Sequence, residues 1–389
     1  MLLNTLKQLR IKSVHNNILN KTISARWITY NITSDTATKP TDEMFDLMKT
    51  ASKEDDVFGM DTSTNNLEQH VAQLFGHESS LFCASGSMTN QLGLRLHLKQ
   101  PPHSVLVDTR SHVNLYECGG LAYHSQASMT AILPKGQFLS VKDIEQHAIR
   151  DTLCGALTKV VSIENTLNGN IMPLDQIKEI SDYCKQQGYK LHMDGARIWE
   201  ASEATGHSLK EYGELCDTIS VCVSKGIGAP IGSLIVSDYE NIQRARHLRK
   251  LMGAGWRQSG GLAIVAHYCL DQVIPQLKTV HQRTRRLWEG LRKLGMDSVL
   301  PVETNMIFID TCGIISLKSW AQRLLQEANI IIDSSDDRVA RIVLHYQIPD
   351  SVVDQMLYVT EKLIKEEGKE PIASTSSDIS NAYPSAPKQ

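Results

Sequence analysis

The sequence lacks several features that would place it in common functional classes. No apolar run approaches the roughly 20 residues that a membrane helix requires, which predicts a protein that does not cross a membrane. The formal net charge is −3, so there is no basic excess of the kind that binds nucleic acid. The eight cysteines form no Cys-x-x-Cys pair, which argues against a zinc site or a disulfide framework. Buried, reduced thiols in an intracellular protein are therefore expected.

Acidic residues are absent from residues 1–34. The basic residues of this stretch, interspersed with leucines, are Lys7, Arg10, Lys12, Lys21 and Arg26. A basic, acid-free, amphipathic start is typical of mitochondrial targeting peptides, and such a peptide is predicted over residues 1–28. The alternative is that these residues form a disordered basic arm ahead of the fold, in which case a cytoplasmic protein is expected. Residues 367–389 are rich in Ser, Pro and charge, and are predicted to be a disordered tail.

Short apolar segments alternate with helical patterns over residues 33–277. The predicted strands are SSLFC (79–83), SVLVD (104–108), KVVSIEN (159–165), YKLHMD (189–194) and TISVCVS (218–224). This alternation predicts an α/β domain, with a parallel sheet covered on both faces. Ligands of such sheets bind at the carboxyl ends of the strands, where Asp194 and Lys225 fall.

The pattern changes after about residue 278. A long charged helix is predicted over 279–294 and is followed by NMIFID, a helix at 317–327, RIVLHY and a last helix from about 350. The predicted division is a large domain with an N-terminal arm at 29–278 and a small α+β domain at 279–366.

Lys225 stands in VCVSKGIGAP, at the end of an apolar run and the start of a glycine-rich turn. The turn does not match a dinucleotide fingerprint, because the third glycine position falls on Ile231. It does not match a Walker loop either, because here the order is Ser224–Lys225–Gly226. Phosphate binding by this turn is therefore not expected.

A better phosphate site is ASGSMTN, where Ser85, Gly86 and Ser87 lie between a strand and a helix. Small residues allow the N–H groups of a helix start to face an anion, although Ser-Gly-Ser before a helix is often only a cap. Asp194 in HMDGARIWE could likewise be a simple helix cap. Anion site, carboxylate and lysine together are nevertheless the set that pyridoxal phosphate requires. In that set Lys225 forms the Schiff base and Asp194 keeps the ring nitrogen protonated.

His112 follows the strand that ends at Asp108 and could stack on the cofactor ring, although a lone histidine is usually a satisfied polar residue. With these motifs the chain resembles the low-specificity L-threonine aldolases, which use pyridoxal phosphate. The matching segments cover about residues 34–348 and are SDTATKPTDEM, DDVFGMD, ASGSMTN, SHVNLYECGG, IENTLNG, LHMDGARIWEA, SVCVSKGIGAPIGS, RKLMGAGWRQSG and RIVLHYQI. The resemblance implies the aspartate-aminotransferase-like fold (fold type I), with a mostly parallel seven-stranded sheet and a small C-terminal α+β domain.

The resemblance also implies a role for each matching residue. Lys225 is the expected Schiff-base lysine, Asp194 the partner of the ring nitrogen, and His112 the stacking and proton-transferring group. The expected phosphate contacts are Ser85, Gly86, Ser87 and, from a neighbouring subunit, Arg257. The expected substrate contacts are Ser34, Arg197 and Arg341, with Lys250 reaching across the interface of a homotetramer; Arg197 is also expected at the cofactor. The implied reaction cleaves L-threonine or L-allo-threonine into glycine and acetaldehyde.

Several positions depart from the family pattern, among them Thr33, which replaces an arginine, and Asn168, which follows Leu167 where some members have a histidine. Leu167 stands where many members have the histidine that contacts the substrate hydroxyl, and Phe58 replaces a tyrosine. His124 is an unexpected histidine, either a surface residue or a substitute base. An amino-acid racemase acting on alanine is therefore the first alternative, and a non-catalytic relative is the second. The glycines after Lys225, Gly226 and Gly228, are expected to leave room for the cofactor.

Overall fold

The computed structural model describes residues 29–151 and 153–372. The predicted targeting peptide at 1–28 lies outside these residues. The strands, in chain order, are β1 (Tyr30–Asn31), β2 (Ser79–Cys83), β3 (Ser104–Asp108), β4 (Ser128–Ile132), β5 (Thr158–Glu164), β6 (Lys190–Asp194), β7 (Thr218–Cys222), β8 (Ser233–Ser237), β9 (Asp297–Ser298), β10 (Met306–Asp310), β11 (Ile330–Ile331) and β12 (Val339–Val343).

The described helices also follow the chain order. They are α1 (Asp42–Met48), α2 (Thr62–Leu74), α3 (Gly86–His97), α4 (His112–Leu115), α5 (Gly120–Ser125), α6 (Val141–His147), α7 (Leu174–Gln187), α8 (Ile198–Thr205), α9 (Leu209–Gly213), α10 (Tyr239–Leu251), α11 (Gly260–Val273), α12 (Leu277–Lys293), α13 (Leu317–Ala328) and α14 (Asp350–Glu367). None of these helices is both long and apolar enough to cross a membrane.

Seven strands form the larger sheet, in the order β2-β8-β7-β6-β5-β3-β4. All neighbouring pairs are parallel except those of β8, which runs antiparallel to β2 and β7. The predicted fold class, a mostly parallel seven-stranded sheet, is therefore confirmed. The strands β3, β7 and β8 are buried along their whole length, as expected for a sheet covered on both faces.

The helix α7 illustrates why these segments fold as they do. Its buried residues Ile177, Ile180, Ser181 and Cys184 recur at intervals of three or four, so they form one face against the sheet. The helix ends at Gly188, whose φ of 73° is the left-handed conformation that glycine adopts without steric cost.

A second core joins helices α12, α13 and α14 to a three-stranded antiparallel sheet of order β12-β10-β9. The N-terminal arm belongs to this smaller unit, because β1 pairs in parallel with β11 and Ile32 is buried in the same core. The sequence assigned the arm to the large domain, since local patterns do not reveal a partner strand 300 residues away.

Two expectations need correction. The tail does not begin at residue 367, because the N–H groups of Lys369 and Ile372 donate to the carbonyls of Ile314 and Cys312. An apolar Ile372 against Gly313 favours this local pairing. All eight cysteines are thiols, but only six are buried; Cys118 and Cys154 are exposed.

Candidate active site

The candidate site lies at the carboxyl ends of β5, β6 and β7. Glu164 and Asp194 end adjacent parallel strands and are register partners. Lys225 follows three residues after β7, in a turn that returns the chain to β8. The parallel register therefore brings residues far apart in sequence to one edge of the sheet.

The turn that carries Lys225 is fixed from several sides. The carbonyl of Lys225 accepts hydrogen bonds from Gly228 N at 2.8 Å and from Thr38 Oγ1 at 3.3 Å. A Cβ built on Gly228 would lie 2.6 Å from the ring of Tyr346, and one on Gly226 would lie 2.8 Å from Glu200 Oε1. The expectation that these glycines leave room for a cofactor is therefore wrong. They allow protein side chains to approach the backbone of the turn.

Asp194 is 3% exposed and is held at both oxygens. Its Oδ2 accepts from Asn90 Nδ2 at 2.7 Å, and its Oδ1 accepts from Ala196 N at 3.0 Å. Asn90 is itself oriented by His192, whose Nε2 lies 3.1 Å from Asn90 Oδ1. The carboxylate is thus aimed by α3 as well as by its own strand, which suits a group that must meet a ring nitrogen.

His112 begins the short helix α4 and contacts two carboxyl groups. Its Nδ1 lies 2.8 Å from Glu117 Oε1, and its backbone N–H donates to Glu164 Oε2 at 2.8 Å. Burial lowers the pKa of His112, but the hydrogen bond with Glu117 and the charge of Asp194 outweigh burial, so the pKa lies above its ordinary value. A ring nitrogen of His112 and one carboxylate oxygen each from Glu117 and Asp194 all lie within 4.8 Å of one another.

The pKa of the Glu164 carboxyl lies far above its ordinary value. Burial, reinforced by the charge of the neighbouring Asp194, raises the pKa of Glu164 to about 8. The carboxyl of Glu164 is therefore largely protonated at neutral pH.

The start of α3 forms the floor of the predicted anion site. The hydroxyl of Ser85 accepts a hydrogen bond from Met88 N at 3.2 Å, so Ser85 acts as the helix cap that the sequence left as an alternative. A Cβ on Gly86 would lie 2.8 Å from Cys222 Sγ, which places the first turn of α3 directly on the end of β7. The N–H groups of a first helical turn have no acceptor within the helix and can therefore bind an anion beside Lys225.

A buried carboxylate, Asp35, organises the predicted substrate contacts. The guanidinium of Arg197 binds both of its oxygens, at 2.7 and 2.6 Å. Burial would raise the pKa of Asp35, but Arg197, with Lys225 and Arg341 adding charge, holds it well below its ordinary value. Next to Asp35 lies Ser34, and the preceding carbonyl of Thr33 accepts from Arg341 at 3.1 and 3.3 Å.

The geometry therefore gathers Ser34, Arg197, Arg341 and Lys225 around Asp35. Bidentate binding of a substrate carboxylate by Arg197 would require Asp35 to lose its partner, which is costly for a buried charge.

Other predicted residues lie outside this group. Arg257 donates to Asp55 at 2.8 Å and covers the exposed ring of Phe58, and Lys250 packs against Gly255. His124 sits on α5 against the exposed Tyr123. Leu167 is 5% exposed and packs into the larger core, in a tight turn whose backbone pairs with Asn170.

The donor set fits pyridoxal phosphate. A lysine, a buried carboxylate held by neutral donors, an imidazole and a helix start converge at one sheet edge. The close contact of Gly86 with Cys222 supports the fit, because only glycine lets this helix start approach the strand end so closely.

Sequence reasoning missed Asp35, Asn90, Glu117 and Glu164. All four lie in segments or next to motifs that were recognised, but acidic and amide residues at helix starts and strand ends usually only cap. Glu117 contacts His112 five residues away, but the other contacts span 26 to 162 residues, which no local signal encodes.

Comparison with known proteins agrees with this geometry. Residues 31–312 match the model of the beta-eliminating lyase family. The chain belongs to the beta-eliminating lyase family. The predicted enzyme class, a lyase, is thereby confirmed.

The individual relatives include both aldolases and a racemase. The chain is 39% identical over 83% of its length to the low-specificity L-threonine aldolase of Eremothecium gossypii, of which 84% is covered. It is 34% identical to the alanine racemase TOXG of Cochliobolus carbonum, covering 89% of each chain. A solved structure of threonine aldolase from Leishmania major superposes with a TM-score of 0.75, 20% identity and coverage of 86% and 99%, which supports the fold.

Proposed function

We propose that the protein is a pyridoxal-phosphate-dependent aldehyde-lyase that cleaves L-threonine and L-allo-threonine between Cα and Cβ, giving glycine and acetaldehyde. The observation that carries the proposal is the convergence of Lys225, Asp194 and His112 on the start of α3. The aldolase relatives, at 37–43% identity over most of the chain, support the substrate class.

The chain's residues divide the work of holding the cofactor. Lys225 would bind it covalently, the first turn of α3 would hold its phosphate, and Asp194 would keep a proton on the ring nitrogen. When bound, pyridoxal phosphate supplies an electron sink for the bond broken at the α-carbon.

Substrate orientation falls to Arg341 and Ser34. A guanidinium beside a hydroxyl fixes the plane of an amino-acid carboxylate, and the orientation decides which bond at the α-carbon breaks. Arg197 holds Asp35, and the nearby charge of Lys225 also helps to lower the pKa of that carboxyl.

Proton transfer falls to the imidazole of His112. Glu117 fixes its Nδ1, so Nε2 is left to take a proton from the substrate hydroxyl or to return one to the α-carbon. Because its pKa is raised, His112 retains a proton further toward neutral pH than an ordinary histidine.

The test uses purified protein supplied with pyridoxal phosphate. Acetaldehyde formed from L-threonine and L-allo-threonine is followed by coupled NADH oxidation, and we expect release with both substrates. Lys225→Ala is expected to lose both the visible absorbance and the activity. Wild-type turnover in that variant would contradict the proposal.

Racemisation of alanine is the second candidate. It is favoured by the similarity to alanine racemase TOXG and by Leu167, an apolar residue where an imidazole would contact a hydroxyl. Incubation with L-alanine separates the two activities: D-alanine without acetaldehyde from L-threonine would support the racemase. We favour the aldolase because most of the similar relatives carry that activity.

We further propose a homotetramer, with Arg257 and Lys250 reaching into a neighbouring site. Exposed large apolar side chains support an interface, namely Phe45, Phe58, Met60 and Leu251. Light scattering after size exclusion tests the mass, and a monomer would contradict it. For residues 1–28 we propose mitochondrial targeting, which an import assay with and without this segment tests.

A further inference from the structure

A buried carboxylate lies directly behind the residue that follows Lys225. Glu200, on α8, is 2% exposed, and a Cβ on Gly226 would lie 2.8 Å from its Oε1. Its other oxygen, Oε2, lies 2.6 Å from Nε2 of His281 on α12. The carboxylate of Glu200 therefore connects the Lys225 turn to a helix of the smaller unit.

Burying the Glu200–His281 pair costs desolvation free energy. Two polar, ionisable groups lose hydration when buried, and an apolar pair of the same volume would stabilise the fold at least as well. Asp35 Oδ2 lies 3.6 Å from the same Cβ on Gly226, so two carboxyl groups flank the backbone beside Lys225. Asp35 is paired with Arg197, whereas Glu200 is paired with a histidine.

His281 reaches solvent. Its side chain is 14% exposed and lines an open cavity of about 340 Å³ between the two units. Water in this cavity can exchange a proton with the imidazole, which in turn contacts Glu200.

The charges around the pair define its behaviour. Burial raises the pKa of Glu200, His281 and Arg197 lower it, and Asp35 raises it, with a net upward direction. The cavity beside His281 is lined by two cations, Lys278 and Arg285, and by two carboxylates, Glu203 and Glu303. Glu200 is the group in direct hydrogen-bonding contact with the imidazole.

We propose that Glu200 and His281 form a positioning pair for Lys225, an inference that rests on the proposed function. Glu200 supports the backbone at Gly226 and places a carboxyl group behind the Lys225 turn, where its negative charge would favour a protonated nitrogen on Lys225 when the cofactor is bound. His281 shares a proton with Glu200 and exchanges it with water in the cavity. Neither residue touches the substrate.

The test titrates the visible absorbance of the holoenzyme with pH. In Glu200→Gln the negative charge is lost at nearly constant shape, so the midpoint of the absorbance change is expected to move about 0.5 to 1 pH unit lower. His281→Asn is expected to move it in the same direction, because Glu200 without its imidazole is protonated more readily. The matched control, Glu203→Gln, removes a carboxylate from the same helix and cavity and is expected to leave the midpoint unchanged.

The outcomes separate the two levels of the proposal. If the wild-type band titrates but both variants keep its midpoint, the positioning role is wrong. If the midpoint of Glu203→Gln moves as far as that of Glu200→Gln, the effect is one of general charge and the role is also wrong. If Glu200→Gln does not fold, His281→Asn decides alone. A wild-type protein without a visible band that depends on Lys225 overturns the proposed function itself.

Discussion

At the scale of single residues, Glu117 links two groups of the site. Its Oε1 lies 2.8 Å from His112 Nδ1 and accepts from Asn90 Nδ2 at 2.8 Å, and Asn90 reaches Asp194. The carboxylate is 6% exposed and its Oε2 accepts from Gln91. A substitution of Glu117 therefore alters the hydrogen bonding of both His112 and Asp194.

Glu117→Gln is expected to lower the pKa of His112, because it removes an anionic hydrogen-bond partner that raises this pKa. The limb of the kcat/KM profile that reports deprotonation of His112 should move to lower pH. Stability should fall by about 1–3 kcal/mol, because the new amide faces the donors of Asn90 and Gln91. An unmoved limb, with the exposed Glu179→Gln as control, would contradict the role of Glu117.

Leu167 is the residue at which substrate preference can be tested. Leu167→His places a hydrogen-bonding ring in the turn that follows β5, beside Asn165, whose N–H donates to the carbonyl of Asp194. We expect the ratio of kcat/KM for L-threonine to that for L-allo-threonine to change by about threefold or more.

The control for this change is Leu167→Met, which keeps volume and apolar character and should leave the ratio near its wild-type value. A ratio unaffected by the histidine would show that position 167 does not contact the substrate hydroxyl.

At the scale of elements, the contact between the start of α3 and the end of β7 positions the anion site. Gly86→Ala forces a methyl group to within 2.8 Å of Cys222 Sγ, which requires the helix start to shift. Such overpacking costs about 1–3 kcal/mol of folding stability, and the shifted helix start would move its N–H groups away from the phosphate. The Kd of the apoprotein for pyridoxal phosphate is therefore expected to rise about tenfold.

Fluorescence titration of the apoprotein measures this Kd. Gly261→Ala is the matched control, since Gly261 also lies in the first turn of a helix but its Cβ would meet Met48 only at 3.6 Å. Equal Kd values for Gly86→Ala and the wild type would contradict the proposed phosphate contact.

The elements themselves were predictable to different extents. The strands β2 and β3 occupy the predicted residues, because short apolar runs between turns are a strong local signal. Two strands of the larger sheet were missed, β4 and β8. The strand β4 lies at the sheet edge with only one fully buried residue, so it lacks an apolar run. The strand β8 follows the Lys225 turn and pairs antiparallel with β7, whereas the alternation of strands and helices predicts only parallel pairs.

At the scale of the whole molecule, Glu164 couples the site to stability. Its pKa is about 8 in the folded protein against an ordinary 4.5, so the folded state binds more protons between these values. Its contribution to stability is therefore largest below pH 4.5, falls as the pH rises toward 8, and is constant above that.

Glu164→Gln is expected to remove this contribution, so the Tm of the apoprotein should fall less between pH 5 and pH 8 than that of the wild type. Calorimetry across this range measures the effect, with exposed Glu179→Gln as control. Parallel wild-type and Glu164→Gln curves would mean that Glu164 titrates as an ordinary carboxyl.

The sequence by itself determined the fold class, the lysine and carboxylate at strand ends, and the helix start between Ser85 and Ser87. These follow from local patterns: apolar periodicity, glycine spacing and the order of motifs. Only the tertiary structure decided that Arg197 is held by Asp35, that the glycines after Lys225 admit Glu200 and Tyr346, and that the N-terminal arm joins the smaller unit. Those facts depend on which distant side chains meet across a packed interior, and packing and charge pairing between distant segments leave no local trace in the chain.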